Sequence, residues 1–189
     1  VGTSIKHFAV NNHEYHRMVS DVVVDERTLR EIYLRAFEIA VTQAQPWTVM
    51  CAYNLVNGTY CAEHTELMTT ILRDEWGFDG LVMTDWGANN DRVAGVRAGV
   101  DVEMPGGSKG SIVALQQALE SGGIERSTIE VSAKRLADLA QRCDGARGAS
   151  PLTTDEIDRH HALARRAAGE GCVLLTSDGT LPISTGTTV

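Results

Sequence analysis

Short apolar runs alternate with longer amphipathic runs up to residue 143, and this alternation restricts the possible folds more than any other feature. Strands are predicted to end near Phe8 and to cover 48–53, 80–84 and 100–104. Amphipathic runs with helical spacing fill the intervals between them. Strands that alternate with helices run parallel, because each helix carries the chain back to the same end of the sheet. The chain is therefore predicted to be an α/β protein.

The helices are predicted from apolar spacing and from residues that commonly cap helix ends. Asp25 is expected to cap a helix in which Leu29, Ile32 and Tyr33 share one apolar face. The remaining helices of this part are predicted near 64–75, 90–98, 109–120 and 128–142. The regular repeat, with polar residues at the strand ends, favours a (β/α)₈ TIM-type barrel over an open sheet. Four strands are half of what such a barrel needs, so a partial barrel is expected.

The composition changes after the last of these helices, where glycine, serine and proline accumulate. We interpret 1–143 as the barrel part, 144–153 as a linker and 154–189 as the beginning of a second α/β domain. Thr154 is expected to cap the first helix of this second part, and a strand is predicted to follow over 172–176.

Charge and hydropathy exclude two classes of partner. The net charge is -8, and no block of lysine or arginine is present, so binding to duplex nucleic acid is not expected. No apolar run approaches the ~18–20 residues of a membrane span, so no membrane partner is expected either. The chain starts at Val1 rather than at methionine, so we expect an upstream segment, and the compartment stays open.

The four cysteines, Cys51, Cys61, Cys143 and Cys172, are scattered along the chain. They include no Cys-x-x-Cys pair, which excludes zinc-ribbon and thioredoxin-type motifs. Cys51 and Cys172 lie in apolar runs and are predicted to be buried thiols. Cys51 and Cys61 flank a loop, and the sequence leaves open whether they form a disulfide.

Asp85 is the first candidate for a catalytic residue. An apolar strand is predicted to end at Thr84, and Asp85, Trp86 and Gly87 follow it. Reactive groups of barrel enzymes lie at the carboxyl ends of strands, and an ionised carboxylate there can attack an anomeric carbon. Trp86 would offer an apolar face to a sugar ring. The alternative is that Asp85 only caps the next helix, and its position alone favours neither role.

Two other predicted strands also end in polar residues. Lys6 and His7 would place a cation and an imidazole where vicinal sugar hydroxyls could bind. The alternative is a structural salt bridge for Lys6 and a buried, hydrogen-bonded His7. Tyr53 could donate a hydrogen bond to Asp85 or to a substrate, or it could be a core residue with its hydroxyl in water.

Asp101 and Glu103 alternate along the last predicted strand and would share one face. Either could be a second active-site carboxylate, and Glu103 is the better candidate because it is nearer the carboxyl end of the strand. The alternative, which we favour, is a salt bridge to Arg92 or Arg97.

A metal site is a further possibility, because His7, His13 and His16 lie close together in the sequence with Glu14 between the last two. Their spacing does not match His-Glu-x-x-His, and they fall in a loop rather than on one helical face. We therefore expect neither a metal nor another cofactor. Glu14 and Arg17 are expected to interact with each other within this loop and so to stabilise it.

Four stretches, in the same order and at the same spacing, closely resemble glycoside hydrolase family 3. They are Lys6–Asn12, Val49–Gly58, Trp76–Ala88 and Ala98–Gly106. The run Ala164–Leu175 also resembles the entry to the second domain of that family. The resemblance implies a barrel followed by an α/β sandwich domain, of which this chain would hold the beginning.

The resemblance also implies the roles of individual residues. Asp85 matches the nucleophile of retaining enzymes that act on β-linked glucosides and related glycosides. Lys6 and His7 match the pair that binds hydroxyls of the terminal sugar. Tyr53 matches the tyrosine beside the nucleophile, and Trp86 matches an aromatic wall. Two further positions would line the pocket: Met50 and Met104.

One departure from the family pattern separates its branches. The N-acetylglucosaminidase branch has Lys-His-Phe-Pro-Gly-His-Gly, in which a loop histidine is the acid/base. Here Phe8 is followed by Ala9, Val10, Asn11 and Asn12, which favours the glucosidase-type branch. That branch places its acid/base glutamate in the second domain, beyond the residues present here. The chain is therefore expected to be a fragment that holds half of a catalytic pair and is inactive alone.

Three alternatives stay open beside a β-glucosidase. Specificities for glucose, xylose and arabinose share these motifs, so a β-xylosidase or arabinosidase is possible. A non-catalytic relative that only binds sugar would keep Lys6, His7 and Trp86 while lacking the glutamate. A metal-dependent barrel hydrolase would use His7, His13 and Glu14. The expected partner in the first two cases is a small-molecule or oligosaccharide glycoside.

Overall fold

The computed structural model describes residues 2–146, 148 and 150–187. The chain divides into two compact units, Val1–Gly145 and Ala146–Val189. The first unit carries every candidate site residue. The division of the chain into barrel, linker and sandwich regions stays a prediction.

A parallel sheet forms the centre of the first unit. Its strands are β1 (Ser4–Phe8), β3 (Thr48–Cys51) and β6 (Leu81–Thr84), in the order β1-β3-β6. All pairs are parallel, with Thr48 opposite Leu81 in β6 and opposite Ser4 in β1. The prediction of an α/β protein with parallel strands and helical crossovers is therefore confirmed. The described residues do not form a closed barrel.

The prediction of a regular fourth strand over 100–104 is wrong. Only one parallel bridge, between Val102 and Met83, joins this segment to β6. The amides of Asp101 and Val102 both donate to the carbonyl of Val82, and the Met104 amide donates to the Thr84 hydroxyl instead of to a backbone carbonyl. Because two successive amides share one acceptor, the regular ladder of a strand cannot continue.

A second, smaller sheet contains β2 (Asp21–Val22), β4 (Leu55–Val56) and β5 (Thr59–Tyr60), in the order β2-β4-β5. The antiparallel hairpin β4-β5 turns at Asn57 and Gly58, whose φ angles are 50° and 86°. Positive φ at both central positions suits an Asn-Gly pair, and the predicted turn is confirmed.

The helices of the first unit lie close to the predicted ranges. Asp25 caps the first of them, and its Oδ1 accepts a hydrogen bond from the Thr28 amide at 3.0 Å. The helical segments are α1 (Glu26–Thr28), a π-helical segment (Leu29–Tyr33), α2 (Arg35–Ala44), a 3-10 turn (Cys61–Glu63), a π-helix (Glu66–Glu75), α3 (Arg92–Ala98), α4 (Lys109–Glu120) and α5 (Arg126–Cys143). A 3-10 turn (Asp144–Ala146) follows α5 and includes the boundary at Gly145.

The core of the first unit lies between the parallel sheet and the helices. Phe8, Val49 and Val82, one from each strand, are fully buried. The ring of Phe8 makes edge contacts with Phe37 at 5.2 Å and with Trp76 at 5.9 Å between centroids. Such aromatic pairs add to the free energy of apolar burial. These buried side chains fix the strands against the helices. The polar residues at the carboxyl ends of the strands are therefore held in defined positions.

The second unit contains α6 (Thr154–Gly171). Its cap is Thr153 rather than the predicted Thr154, because Thr153 and Glu156 form a reciprocal capping box. The strand predicted over 172–176 is absent from the described residues. A strand needs a neighbour for its backbone N–H and C=O groups, and no strand is described in this unit. Cys172 is accordingly exposed, and its predicted burial is wrong.

Within the described ranges, no helix has both the length and the apolar composition that crossing a bilayer requires.

Cys51 and Cys61 are free thiols in the structure, and both are buried. Burial raises the pKa of each thiol to about 12. Only the thiolate attacks an alkylating reagent, so we expect neither cysteine of the native protein to react with iodoacetamide near pH 8. Mass spectrometry of labelled peptides measures this, with the exposed Cys143 as the reactive control. Labelling of Cys51 or Cys61 before urea unfolding would contradict the expectation.

Candidate active site

Three of the candidate residues meet at the carboxyl end of the parallel sheet. His7 lies in β1, Tyr53 follows β3 by two residues, and Asp85 directly follows β6. Because the three strands are neighbours and parallel, their carboxyl ends lie on one edge of the sheet. The sequence pattern placed these residues at strand ends, and the sheet order brings them together.

The carboxylate of Asp85 has a polar nitrogen close to each of its oxygens. His7 Nε2 lies 3.2 Å from Oδ2, and the Trp86 amide donates to Oδ1 at 2.7 Å. The two side chains are 30% and 15% exposed, so the pair is partly shielded but open to a small molecule. The hydrogen bond from the Trp86 amide and the close imidazole restrict the orientation of this carboxylate.

Asp85 does not cap the next helix. Helix α3 begins at Arg92, and its cap is Asp91, whose Oδ1 accepts from the Ala94 amide at 3.0 Å. The alternative purely structural role for Asp85 is therefore wrong, since another aspartate performs it. The carboxylate of Asp85 is left at the edge of the sheet.

Tyr53 is buried beside Asp85, and its hydroxyl donates to the backbone carbonyl of Trp86 at 3.0 Å. Burial raises the pKa of Tyr53, and the neighbouring Asp85 carboxylate raises it further. The phenol therefore stays protonated at neutral pH and remains a hydrogen-bond donor. Its bond to Trp86 fixes the backbone that carries both Asp85 and the tryptophan.

Lys6 and His7 differ in their contacts with charged neighbours. Lys6 is exposed, and the salt bridge considered for it is not formed with any residue in the part of the chain that the structure describes. Its ammonium group is thus available to a ligand. His7 is not a buried core histidine, because it is 30% exposed and faces Asp85.

Trp86 and Met104 lie at the turn after β6, and Met50 lies in the neighbouring strand. The Trp86 side chain is 62% exposed, and Gly87 adopts φ 81°, which allows the chain to turn sharply behind it. The carbonyl of Met104 accepts from the Gly87 amide at 3.1 Å and so holds this turn. Met104 is half-buried, as is Met50 in the neighbouring strand β3.

Arg17 is a site residue that the sequence did not indicate. Its guanidinium group lies 4.7 Å from the centre of the Tyr53 ring, and its Nη1 lies 2.7 Å from Glu14 Oε2. The expected tie between Glu14 and Arg17 is confirmed. The contact additionally brings a positive charge to the face of the Tyr53 ring. Its only signal in the sequence was a cation in the loop after the first strand.

Asp101 and Glu103 do not join the site. The carboxylate of Asp101 is fully buried and binds Arg73 at 2.9 Å and Arg135 at 3.0 Å. Glu103 lies 3.9 Å from Arg92. Ion pairing, the alternative to a catalytic role, is therefore confirmed for both. The partners expected for Asp101 are wrong, because the irregular edge segment directs its side chain towards α5.

No group of three or more ligating side chains that could hold a metal ion occurs within residues 2–146, 148 and 150–187. The histidines of the loop after β1 contact an aromatic residue instead. The His16 ring lies 4.0 Å from the Tyr15 ring between centroids, and the His13 ring lies 6.3 Å from it.

Comparison with known proteins gives a consistent result. Residues 1–139 match the family model described as the glycosyl hydrolase family 3 N terminal domain. The thermostable beta-glucosidase B of Acetivibrio thermocellus is 44% identical over 190 residues, which cover 100% of this chain and 25% of that protein. An exo-alpha-(1->6)-L-arabinopyranosidase of Bifidobacterium longum is 43% identical over 187 residues, covering 98% and 24%.

Solved structures agree with these relatives. The GH3 beta-glucosidase of Bifidobacterium adolescentis superposes with a TM-score of 0.81 at 42% identity, covering 97% of this chain and 27% of that one. Beta-glucosidase 3B of Thermotoga neapolitana, solved in complex with alpha-D-glucose, gives a TM-score of 0.79 at 40% identity with the same coverage. The chain spans about a quarter of the length of the curated relatives it matches.

Proposed function

The chain belongs to glycosyl hydrolase family 3, and from this membership we propose that it is the segment of a retaining β-glycosidase that carries the attacking carboxylate, Asp85. The single observation that supports this role most is the geometry around Asp85. Its two oxygens contact His7 and the Trp86 amide at the carboxyl end of a parallel sheet. Tyr53 borders the same carboxylate. An aspartate held in this way is ready to attack without first having to be oriented.

The proposed reaction proceeds in two steps. An oxygen of Asp85 attacks the anomeric carbon, the bond to the leaving oxygen breaks, and a glycosyl-aspartate ester forms. An acid/base group outside this chain protonates the leaving oxygen and then deprotonates the water that hydrolyses the ester. Retaining enzymes hold the two carboxyl groups about 5–5.5 Å apart. General acid–base help contributes ~10²–10⁴-fold, so these 189 residues alone are expected to be inactive.

The terminal sugar is proposed to lie over Asp85, with its hydroxyls near Lys6 and His7. The ammonium of Lys6, which forms no salt bridge with a described residue, and the partial exposure of His7 support this placement. Arg17 adds a second cation at the edge formed by Tyr53. Two cations and an imidazole can bind the oxygens of one sugar ring. Trp86 would form the wall beside the ring, and Met50 and Met104 would line the pocket.

The preferred glycone is proposed to be β-D-glucosyl, because most of the named relatives are beta-glucosidases. An arabinopyranosyl glycone is the second candidate, since an arabinopyranosidase is 43% identical to this chain. A pair of nitrophenyl glycosides that carry these two sugars distinguishes them directly.

The sheet is proposed to be part of a (β/α)₈ barrel in the full-length protein. Strands β1, β3 and β6 follow one another in chain order, all parallel, and the segment at Val102 continues the order. This is the arrangement of consecutive barrel strands. The exposed apolar residues Leu174 and Leu175 similarly suit a strand of a sandwich domain whose neighbours lie elsewhere in the protein.

A covalent trap tests the nucleophile. The full-length protein is incubated with a 2-deoxy-2-fluoroglucoside that carries a good leaving group, and the digested protein is mapped by mass spectrometry. We expect one glycosyl label on the peptide that contains Asp85, because the fluorine slows both steps whereas the good leaving group restores the rate of ester formation alone. A label on another residue would contradict the assignment. Glucose binding without turnover or labelling would support a non-catalytic sugar-binding relative instead.

A further inference from the structure

The loop after β1 is joined to the hairpin β4-β5 by backbone hydrogen bonds. The Leu55 amide donates to the carbonyl of Ser20 at 2.9 Å, and the Asn57 amide donates to the carbonyl of Val22 at 3.1 Å. Strand β2, which pairs with β4 here, is two residues long, and neither of its residues is buried. Register is specified strongly only where one face of a strand is buried. The backbone pairing therefore needs another contact to fix it.

The side chain of Asn57 supplies this contact beyond the end of β2. Its Oδ1 accepts from the Val24 amide at 2.9 Å, and its Nδ2 donates to the Val24 carbonyl at 2.9 Å. In addition, Asp21 Oδ1 accepts from the Gly58 amide at 2.9 Å. These three side-chain bonds form the hairpin clamp. They fit one register, because a shift by one residue would separate the partners of each bond.

Position 57 requires a residue with two properties. Its φ is 50°, in the left-handed region that asparagine adopts more readily than most residues. The contact with Val24 also requires a side chain that both donates and accepts a hydrogen bond. Glycine would satisfy the turn alone. The amide of Asn57 therefore has a role beyond the turn.

The hairpin clamp and the contact of Arg17 lie along the same two segments. Arg17 precedes Ser20 by three residues, and Tyr53 precedes Leu55 by two. The stretch from Arg17 to Ser20 is a closed turn, because the Ser20 amide and hydroxyl each donate to the His16 carbonyl at 3.0 Å. The position of Ser20 along the hairpin therefore determines where Arg17 meets the Tyr53 ring.

A slip in register is large compared with what sugar binding tolerates. One residue of a strand spans about 3.3 Å. The distance of an N–H···O hydrogen bond varies by only about 0.5 Å. The guanidinium of Arg17, now 4.7 Å from the centre of the Tyr53 ring, would then no longer reach the same sugar oxygen.

We propose that Asn57 is a positioning residue for sugar binding. Through the hairpin clamp, it holds the loop after β1 in the register that places Arg17 at the edge formed by Tyr53. This inference rests on the proposed function, in which Arg17 binds an oxygen of the terminal sugar. It adds a residue of the hairpin that acts on the sugar only through Arg17.

A double-mutant cycle in the full-length protein tests whether Asn57 acts through Arg17. Asn57→Gly allows the same positive φ and removes both bonds to Val24, so the turn is retained. It is expected to lower kcat/KM for 4-nitrophenyl β-glucoside roughly 5- to 20-fold, as for the partial loss of a hydrogen bond from a charged group. In an Arg17→Gln background, the same change should lower kcat/KM by less than about twofold, because the positioned group is absent.

Two further variants separate positioning from a general loss of structure. Gln45→Gly makes the same kind of backbone change, since Gln45 has φ 44°, but it lies after α2, at the amino ends of the strands. It should leave kcat/KM unchanged. Asp21→Ala removes the third bond of the hairpin clamp without altering the turn residues, and it should repeat the loss that depends on Arg17.

The outcomes separate the two proposals. A loss in Asn57→Gly that disappears in the Arg17→Gln background supports the positioning role. A loss of equal size in both backgrounds, or no loss in the wild-type background, overturns it, while turnover and labelling at Asp85 keep the proposed function intact. A wild-type protein that hydrolyses no aryl glycoside overturns both.

Discussion

Asp85→Ala in the full-length protein is expected to lower kcat/KM for 4-nitrophenyl β-glucoside by about 10⁴- to 10⁶-fold, the range seen when a nucleophile or its essential partner is removed. The loss is this large because no covalent ester can form and no other described carboxylate lies at the same strand ends. Asp101 and Glu103 are both held by arginines elsewhere. Steady-state kinetics with highly purified variant measures the change.

A rescue experiment makes this prediction specific for the nucleophile. Removal of the carboxylate leaves space on one face of the anomeric carbon, and a small anion such as azide can attack from that face. The product would then be the glycosyl azide of inverted configuration, because only one displacement has occurred. Asp138→Ala is the control, since Asp138 lies on the exposed side of α5, and its activity should be unchanged. Activity above about one per cent in Asp85→Ala, or an azide product of retained configuration, would contradict the role.

The sequence predicted the centre of this site because that centre depends on regular structure. His7 and Asp85 belong to or directly follow apolar runs that form neighbouring parallel strands. In such a sheet, position along the chain determines which edge a residue reaches. Tyr53 follows the same rule. These three residues could therefore be brought together without knowledge of any side-chain contact.

The remainder of the site depends on irregular structure and could not be predicted in the same way. Arg17 reaches Tyr53 only because the loop folds into a compact turn, in which His16 has φ 56°. Few residues other than glycine adopt this conformation, and no local signal marks it. The direction of Asp101 was missed for a related reason. Two successive amides share the carbonyl of Val82, so the alternation of faces assumed for a strand is lost.

The second unit illustrates a different limit. The apolar run at 172–176 has the composition of a strand, yet it pairs with nothing in the described residues. Strand propensity reflects packing against neighbours more than a preference of the backbone itself. A helix such as α6 forms its backbone hydrogen bonds within its own segment. It therefore needs no partner segment, and the predicted helix is present in this unit.

The second large effect concerns stability, and it is expected for Asp101→Asn. The carboxylate accepts hydrogen bonds from the Val82 amide at 2.8 Å and from the Ser132 hydroxyl at 2.9 Å, in addition to those from Arg73 and Arg135. It thus joins β6, the π-helix Glu66–Glu75 and α5 through one buried charge. An asparagine keeps the shape but leaves the buried guanidinium of Arg73 without its counter-charge. The expected loss is about 3–5 kcal/mol in the free energy of unfolding, as for other broken buried ion pairs.

Asp138→Asn is a matched control for this prediction, because it removes an ion pair from the same helix at the surface. Asp138 lies 2.6 Å from Lys134, but the two side chains are 47% and 75% exposed. Water and salt screen such a pair, so its loss should cost less than about 1 kcal/mol. Urea unfolding of the full-length variants measures both changes, from the midpoint of the transition that contains this unit.

The comparison distinguishes burial from pairing as the source of stability. Both variants remove one carboxylate charge from a short contact with a basic residue, and they differ in whether water can replace it. If only Asp101→Asn greatly lowers the free energy of unfolding, the loss arises from the buried charge of Arg73 that is left without a counter-charge. Equal small losses would mean that water enters the space around Arg73, and Asp101 would then not hold β6 in place. Since β6 carries Asp85 at its end, the first outcome also predicts lower kcat for the folded Asp101→Asn protein.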